Sequence, residues 1–127
     1  DPGWVEAARL HRSGAWVYLV VNWGTCCEGL SSTYELRIGR ARSVEGPFLD
    51  RNGQDLRAGG GSPLMGTQGP QIGPGHAAFR LRGDGTTLIS YHFYDAERDG
   101  LPWIGEALVT WEDGWPAVTR RLPALRP

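Results

Sequence analysis

The sequence predicts an all-β chain built as two four-stranded antiparallel meanders. Three observations carry that expectation. Four segments read as strands, and no segment shows a capped, 3.6-residue apolar period. Nineteen Gly and nine Pro in 127 residues punctuate the chain with turns. A weak internal repeat relates its two halves at a spacing of about seventy residues.

The elements follow in order. Residues 15–23 (AWVYLVVNW) form a β-branched and aromatic run, too apolar for an exposed strand and short enough for a buried one. Residues 34–40 alternate Tyr34, Leu36 and Ile38 against Glu35, Arg37 and Gly39, the pattern of a half-buried strand. Residues 87–94 (TLISYHFY) and 103–111 (WIGEALVTW) read the same way. Ser13-Gly14, Gly46-Pro47, Asn52-Gly53, Gly83-Asp84-Gly85, Asp99-Gly100 and Asp113-Gly114 are turn signals.

The repeat aligns Glu6-Ala7-Ala8-Arg9-Leu10 with His76-Ala77-Ala78-Phe79-Arg80-Leu81. Each stretch is followed by a turn and a strong apolar strand. Each half then continues to a short outer strand, expected to end near Phe48 or Val118. Successive meanders of this kind suggest propeller blades; a β-sandwich is the alternative on pattern alone. The expected division is a first blade over about 6–50, a Gly-rich connection over 51–75 and a second blade over 76–118. Leu56, Leu64, Met65 and Ile72 favour an ordered connection. Glu6 and His76 fall at matching places, each just before the first strand of its meander. Innermost strands line a propeller's channel, so both side chains are expected to converge on one axis.

Composition narrows the function. The net charge of −1 speaks against a broad attraction to nucleic acid or anionic membrane. No apolar run reaches the length of a transmembrane helix, about 18 residues. All thirteen basic residues are Arg, a compositional hint of a GC-rich bacterial genome. The chain does not begin with Met, and Asp1 is expected to be a processed or cut end. Six Trp serve either as core or as platforms for sugar rings, with Trp23 the best platform candidate. The only cysteines are the neighbours Cys26 and Cys27. Adjacent α-carbons lie about 3.8 Å apart, short of the usual disulfide span of about 4.4–6.8 Å, so two free thiols are expected. Following an apolar strand, the pair is expected to wall a substrate cleft. His92 reads as a core histidine and His11 as exposed.

At this point the residues resemble a known family. Val21-Asn22-Trp23-Gly24-Thr25-Cys26-Cys27, Ser32-Thr33-Tyr34, Gly39-Arg40, Gly46-Pro47 and Asp50 are similar to the arabinan-cleaving members of glycoside hydrolase family 43. So are Gly59-Gly60-Gly61, Gly73-Pro74-Gly75-His76, Tyr91-His92-Phe93-Tyr94-Asp95 and Asp113-Gly114-Trp115-Pro116, in that order. The resemblance implies a five-bladed β-propeller, of which residues 1–127 are the C-terminal part. It implies hydrolysis of α-1,5-linked arabinan with inversion, in a parent enzyme secreted or periplasmic in a bacterium.

It further implies three carboxylates: an Asp base, an Asp that orients the acid, and a Glu acid in a Glu-Ala-Pro motif that Glu6-Ala7 matches. Ala8 stands where the family has Pro, and Glu28 where it has Arg. His76 matches a residue that helps hold an axial metal ion, often calcium. Both Asp positions belong to earlier blades, so the expected partners are those blades or further copies of the chain, besides arabinan or arabino-oligosaccharide. Asp50, Asp55, Asp84, Asp95, Asp99 and Asp113 all sit beside turn signals, where Asp has a structural role. One carboxyl group cannot serve as both acid and base, so the isolated chain is expected to be inactive. A non-catalytic carbohydrate-binding or assembly module, or a truncated remnant, is the alternative.

Overall fold

A computed structural model of the chain describes residues 3–120. Asp1 lies outside them. Eight strands form two four-stranded antiparallel sheets. The first contains β1 (Val5–Ser13), β2 (Trp16–Trp23), β3 (Glu35–Ala41) and β4 (Ser62–Met65); the second contains β5 (Gln71–Leu81), β6 (Thr87–Asp95), β7 (Leu101–Glu112) and β8 (Trp115–Thr119). In each sheet the spatial order is the chain order, which is the meander of a propeller blade.

The strands form where alternation or apolar runs predicted them, because a pleated strand presents every second residue to one face. Tyr18 and Val20 of β2, Leu36 and Ile38 of β3, and Met65 of β4 make one half of the core. Ala77, Ile89, Tyr91, Phe93, Ala107, Val109 and Trp115 make the other. The core is therefore the layer between the two sheets, and neither sheet buries its apolar face without the other.

The outer strand of the first sheet departs from the expectation. It is Ser62–Met65, inside the stretch read as a connection, and β5 begins at Gln71 rather than near His76. The segment near Phe48 makes only single bridges, Leu49 to Arg40 and to Asp55. The intervening chain folds over the back of β3. Leu56 presses on Gly39, where a Cβ would come within 2.3 Å of the Leu56 Cδ1. Asp50 ties this segment together: its Oδ1 accepts the N–H groups of Asn52 and Gln54, and its Oδ2 accepts that of Gly61. The apolar residues of the segment had pointed to order; the Gly-rich spacing hid the strand.

Polar contacts fasten the two sheets at several levels. The carbonyl of Gly114 accepts from both the Tyr18 hydroxyl and the Arg40 guanidinium, and that guanidinium lies between the rings of Trp16 and Trp115, 3.8 and 4.3 Å from their centres. Nearer the first strands, Arg9 Nε donates to the Ala77 carbonyl at 3.3 Å. His11, expected to be exposed, is half-buried and stacks on Phe79 with ring centres 4.6 Å apart; its flat ring suits the contact between β1 and β5.

Asn22 makes the most enclosed of these fastenings. It has no exposed surface. Its Nδ2 donates to the Glu35 carbonyl at 3.0 Å within its own sheet and to the Pro74 carbonyl of β5 at 3.3 Å. Its Oδ1 accepts from the His76 N–H at 2.7 Å. Gly75 lies between those two β5 contacts, and a Cβ there would fall 2.1 Å from the Tyr34 ring and 2.5 Å from Asn22 Nδ2. Two predictions follow from this packing. Asn22→Leu strands three backbone polar groups and should lower unfolding free energy by about 3–5 kcal/mol. Gly75→Ala should destabilise at least as much, because it drives the sheets apart. Urea unfolding of both variants, compared with the surface change Arg12→Gln, measures this; values within about 1 kcal/mol of wild type would show that Asn22 and Gly75 do not hold the sheets together.

Candidate functional site

Each first strand carries a β-bulge. On β1, Glu6 pairs with Asn22 and Arg9 with Val20, which leaves one extra residue on β1. On β5, Gly75 pairs with His92 and Ala78 with Ser90, which leaves one extra residue there. Ala7 at φ 55° and His76 at φ 52° occupy the left-handed region at these two bulges. The repeat is thus one residue out of the expected register. Glu6 corresponds to Gly75, and His76 corresponds to Ala7. Both also lie inside their strands rather than ahead of them. Bulge geometry, which leaves no mark on an apolar pattern, decides this register.

The corrected register still brings the two residues to one place. Asn22 is the cross-strand partner of Glu6, and its side chain holds the His76 N–H. A run of contacts leads from one to the other. Tyr34 Oη donates to Glu6 Oε1 at 3.1 Å. The Tyr34 ring stacks on His92 with centres 5.8 Å apart, and His92 lies close enough to His76 to feel its charge. Burial, the hydrogen bond to Glu6 and the Glu6 charge raise the Tyr34 hydroxyl far above its ordinary pKa of 10.0. Tyr34 therefore keeps its proton and remains a donor to Glu6 at every working pH.

Glu6 lines a cleft of about 280 Å³ together with Trp4, Val5, Gly24, Thr25, Cys26 and Glu28. Cys26 walls this cleft, but Trp23 does not line it. The Trp23 ring is half-buried beneath the Arg37 guanidinium, 4.4 Å from its centre, and against Gly61. Trp4 is the aromatic surface at the cleft, 70% exposed. Glu28 is a second carboxylate on the same cleft. Ser32 Oγ accepts its N–H at 3.1 Å, whereas its side chain caps nothing.

Cys26 and Cys27 are bonded to each other, in place of the two free thiols expected. The backbone makes room for the bond: Cys27 turns into the left-handed region at φ 70°, which brings neighbouring side chains together. The Asp residues sit where the turn signals put them. Asp50, Asp55, Asp84 and Asp95 each accept the backbone N–H two residues ahead, and Asp99 and Asp113 have positive φ. None of them lines the cleft with Glu6.

Among the described residues, no group of three His, Cys, Asp or Glu surrounds His76. Calcium takes about 6–8 oxygen ligands. Near His76 the described groups include the imidazole of His92 and the side-chain oxygen of Asn22.

Residues 1–116 match the family model of glycosyl hydrolases family 43. The chain is 36% identical to an extracellular exo-α-(1→5)-L-arabinofuranosidase of Cellvibrio japonicus over 118 residues, 92% of this chain and 34% of that protein. It is 35% identical to an extracellular endo-α-(1→5)-L-arabinanase of Bacillus subtilis, over 91% of this chain and 34% of that protein. The chain thus spans about a third of the length of these curated relatives. The α-L-arabinanase of Cellvibrio cellulosa superposes with a TM-score of 0.87 at 36% identity, covering 91% of this chain and 36% of that structure. Its complex with arabinohexaose superposes with a TM-score of 0.86.

The site predicts a pH response. Burial, and then the charge on His76, lower the His92 pKa below 6.5, and burial lowers that of His11. In the unfolded chain both bind protons from about pH 6.5 downward. The folded state binds fewer in that window, so stability is full above pH 6.5 and is lost as pH falls toward and through the folded values. Unfolding free energy measured between pH 8 and 5 should fall on the acid side, less steeply in His92→Gln. An identical slope in that variant would remove His92 as the cause.

Proposed function

Because this chain belongs to glycosyl hydrolases family 43, we propose that it supplies the acid-bearing blades of an enzyme that hydrolyses α-1,5-linked L-arabinofuranosyl units of arabinan with inversion. The observation that carries the reading is Glu6, which lines an open cleft while a proton-bearing Tyr34 fixes its Oε1. In this reading the protonated Glu6 gives its proton to the glycosidic oxygen as the bond breaks. A second carboxylate takes a proton from the water attacking the opposite face of the sugar, across a gap of about 6.5–9.5 Å.

Glu28 is not assigned that second role. A base has to be held in one geometry, and Glu28 is anchored by its backbone alone. The base belongs to other blades of the parent protein. Trp4 offers a sugar ring its exposed face, and Cys26 forms the neighbouring wall; Trp23 acts behind them as packing. His76 belongs to the axial wall, and the hydrolysis is carried by carboxylates. The curated relatives are named extracellular, which supports a secreted parent enzyme.

An assembly role rests on a separate observation. Strand β7 opens with Leu101, Trp103 and Ile104 exposed at 61%, 50% and 69%. Apolar residues grouped in this way mark a surface that meets another blade, from a longer chain or from a second copy.

Incubated alone with arabinan, the 127-residue chain should release no arabinose or arabino-oligosaccharide. In a protein that joins it to the base-bearing blades, Glu6→Gln should lower kcat by about 10²–10⁴-fold. Sugar release by the isolated chain that Glu6→Gln abolishes would overturn the division of labour. Sedimentation should show the isolated chain associating, and Trp103→Lys with Ile104→Lys should weaken that association; a monomer at high concentration would remove the assembly reading.

A further inference from the structure

Residues 24–33 are fixed at both ends. At the root, Thr33 N–H donates to the Thr25 carbonyl at 2.9 Å, and Thr25 N–H donates to Thr33 Oγ1 at 3.0 Å. Gly24 meets the Thr33 carbonyl, where a Cβ would come within 2.5 Å. Farther along, Ser32 Oγ accepts the Glu28 N–H. The segment between carries the Cys26–Cys27 bond, with Cys26 on the cleft and Cys27 at positive φ.

A non-glycine residue occupies that backbone region only when its surroundings require it. Here the turn has a visible result: the Cys27 N–H donates to Tyr94 Oη at 2.7 Å. Tyr94 belongs to β6 of the other sheet and is 7% exposed, so the anchor is a buried side chain of the second blade. The cleft wall built by the first blade is thereby fastened to the second.

We infer that the Cys26–Cys27 disulfide is a positioning clamp: it turns the Cys27 N–H onto Tyr94, holds Cys26 and Glu28 at the cleft wall, and sets the affinity for arabino-oligosaccharide. The affinity part rests on reading the cleft as a sugar site; the clamp itself does not. Opening the bond with dithiothreitol breaks S–S and forms two S–H groups. The reductant supplies the two electrons and two protons, and closes to its own cyclic disulfide. Cys27 is then free to return to the extended region, and its N–H leaves Tyr94.

The test uses the 127-residue chain in three measurements. Alkylation followed by mass spectrometry should find no free thiol before reduction and two after. The Cys27 amide, followed by hydrogen exchange, should exchange about tenfold faster once reduced, and equally fast in oxidised Tyr94→Phe. Arabinohexaose affinity should fall about three- to tenfold in both, the loss expected for one hydrogen bond, with the circular dichroism spectrum unchanged. The Cys26→Ser, Cys27→Ser double variant should match the reduced protein and ignore reductant. Two thiols before reduction, equal Cys27 exchange in both redox states, or equal affinity would overturn the inference. Absence of arabinohexaose binding in both states would overturn the sugar-site reading, while alkylation and exchange still decide the clamp.

Discussion

One buried amide organises this molecule. Asn22 lies one residue before the end of the most apolar strand of the first sheet, and its side chain bonds carbonyls of both sheets and an N–H of the second. A polar side chain in that position is costly unless satisfied, and the backbone of Pro74 and His76 satisfies it only if the second sheet docks in one place. The docking places the Tyr34 ring, whose hydroxyl holds Glu6 within the first sheet, over Gly75, and leaves Tyr94 beneath Cys27. The apolar layer between the sheets supplies most of the driving force for packing, but it would tolerate small slides. The amide does not.

Much of this was legible from the residues. Strands β2, β3, β6 and β7 follow from their apolar runs and alternation, and the pairing of two meanders follows from the repeat. The Asp residues were read correctly as turn residues because an Asp in or beside a turn can accept a nearby backbone N–H, as Asp50, Asp55, Asp84 and Asp95 do. What stayed hidden has a common cause. Strand β4 is short and lies in a Gly-rich stretch, so its period is too brief to register. A bulge adds a residue without altering hydrophobicity, so the match of Glu6 with His76 came out one residue wrong. The disulfide rested on a φ angle at Cys27, and an average α-carbon separation says nothing about that angle.

The candidate site divided along the same line. Glu6 came from motif resemblance and Cys26 from its place after an apolar strand, and the two meet at one cleft. Trp23 was the best platform candidate, yet its ring lies under Arg37 and against Gly61 and does not line the cleft. Trp4 carries no motif, and Glu28 stood out only as a departure from the family's Arg; their place on the cleft became visible once the turn and the first strand were placed together. Tyr34 read only as an apolar position of an alternating strand; its hydroxyl contact with Glu6 joins the residue before β3 to β1 across the first sheet, a pairing that alternation does not reveal.

The bulge that recurs in both sheets has a meaning for how such a protein can change. The left-handed residue and its predecessor form an address that each blade repeats at the same level near the common centre. In one blade the predecessor is an acid and the left-handed residue a mere methyl group; in the next, the predecessor is bare and the left-handed residue is an imidazole. The backbone is a shared socket, and chemistry is plugged into it blade by blade. A duplicated blade therefore inherits a ready-made position for a new functional group, although the neighbouring sheet limits which side chain fits there, as Gly75 beneath Tyr34 shows.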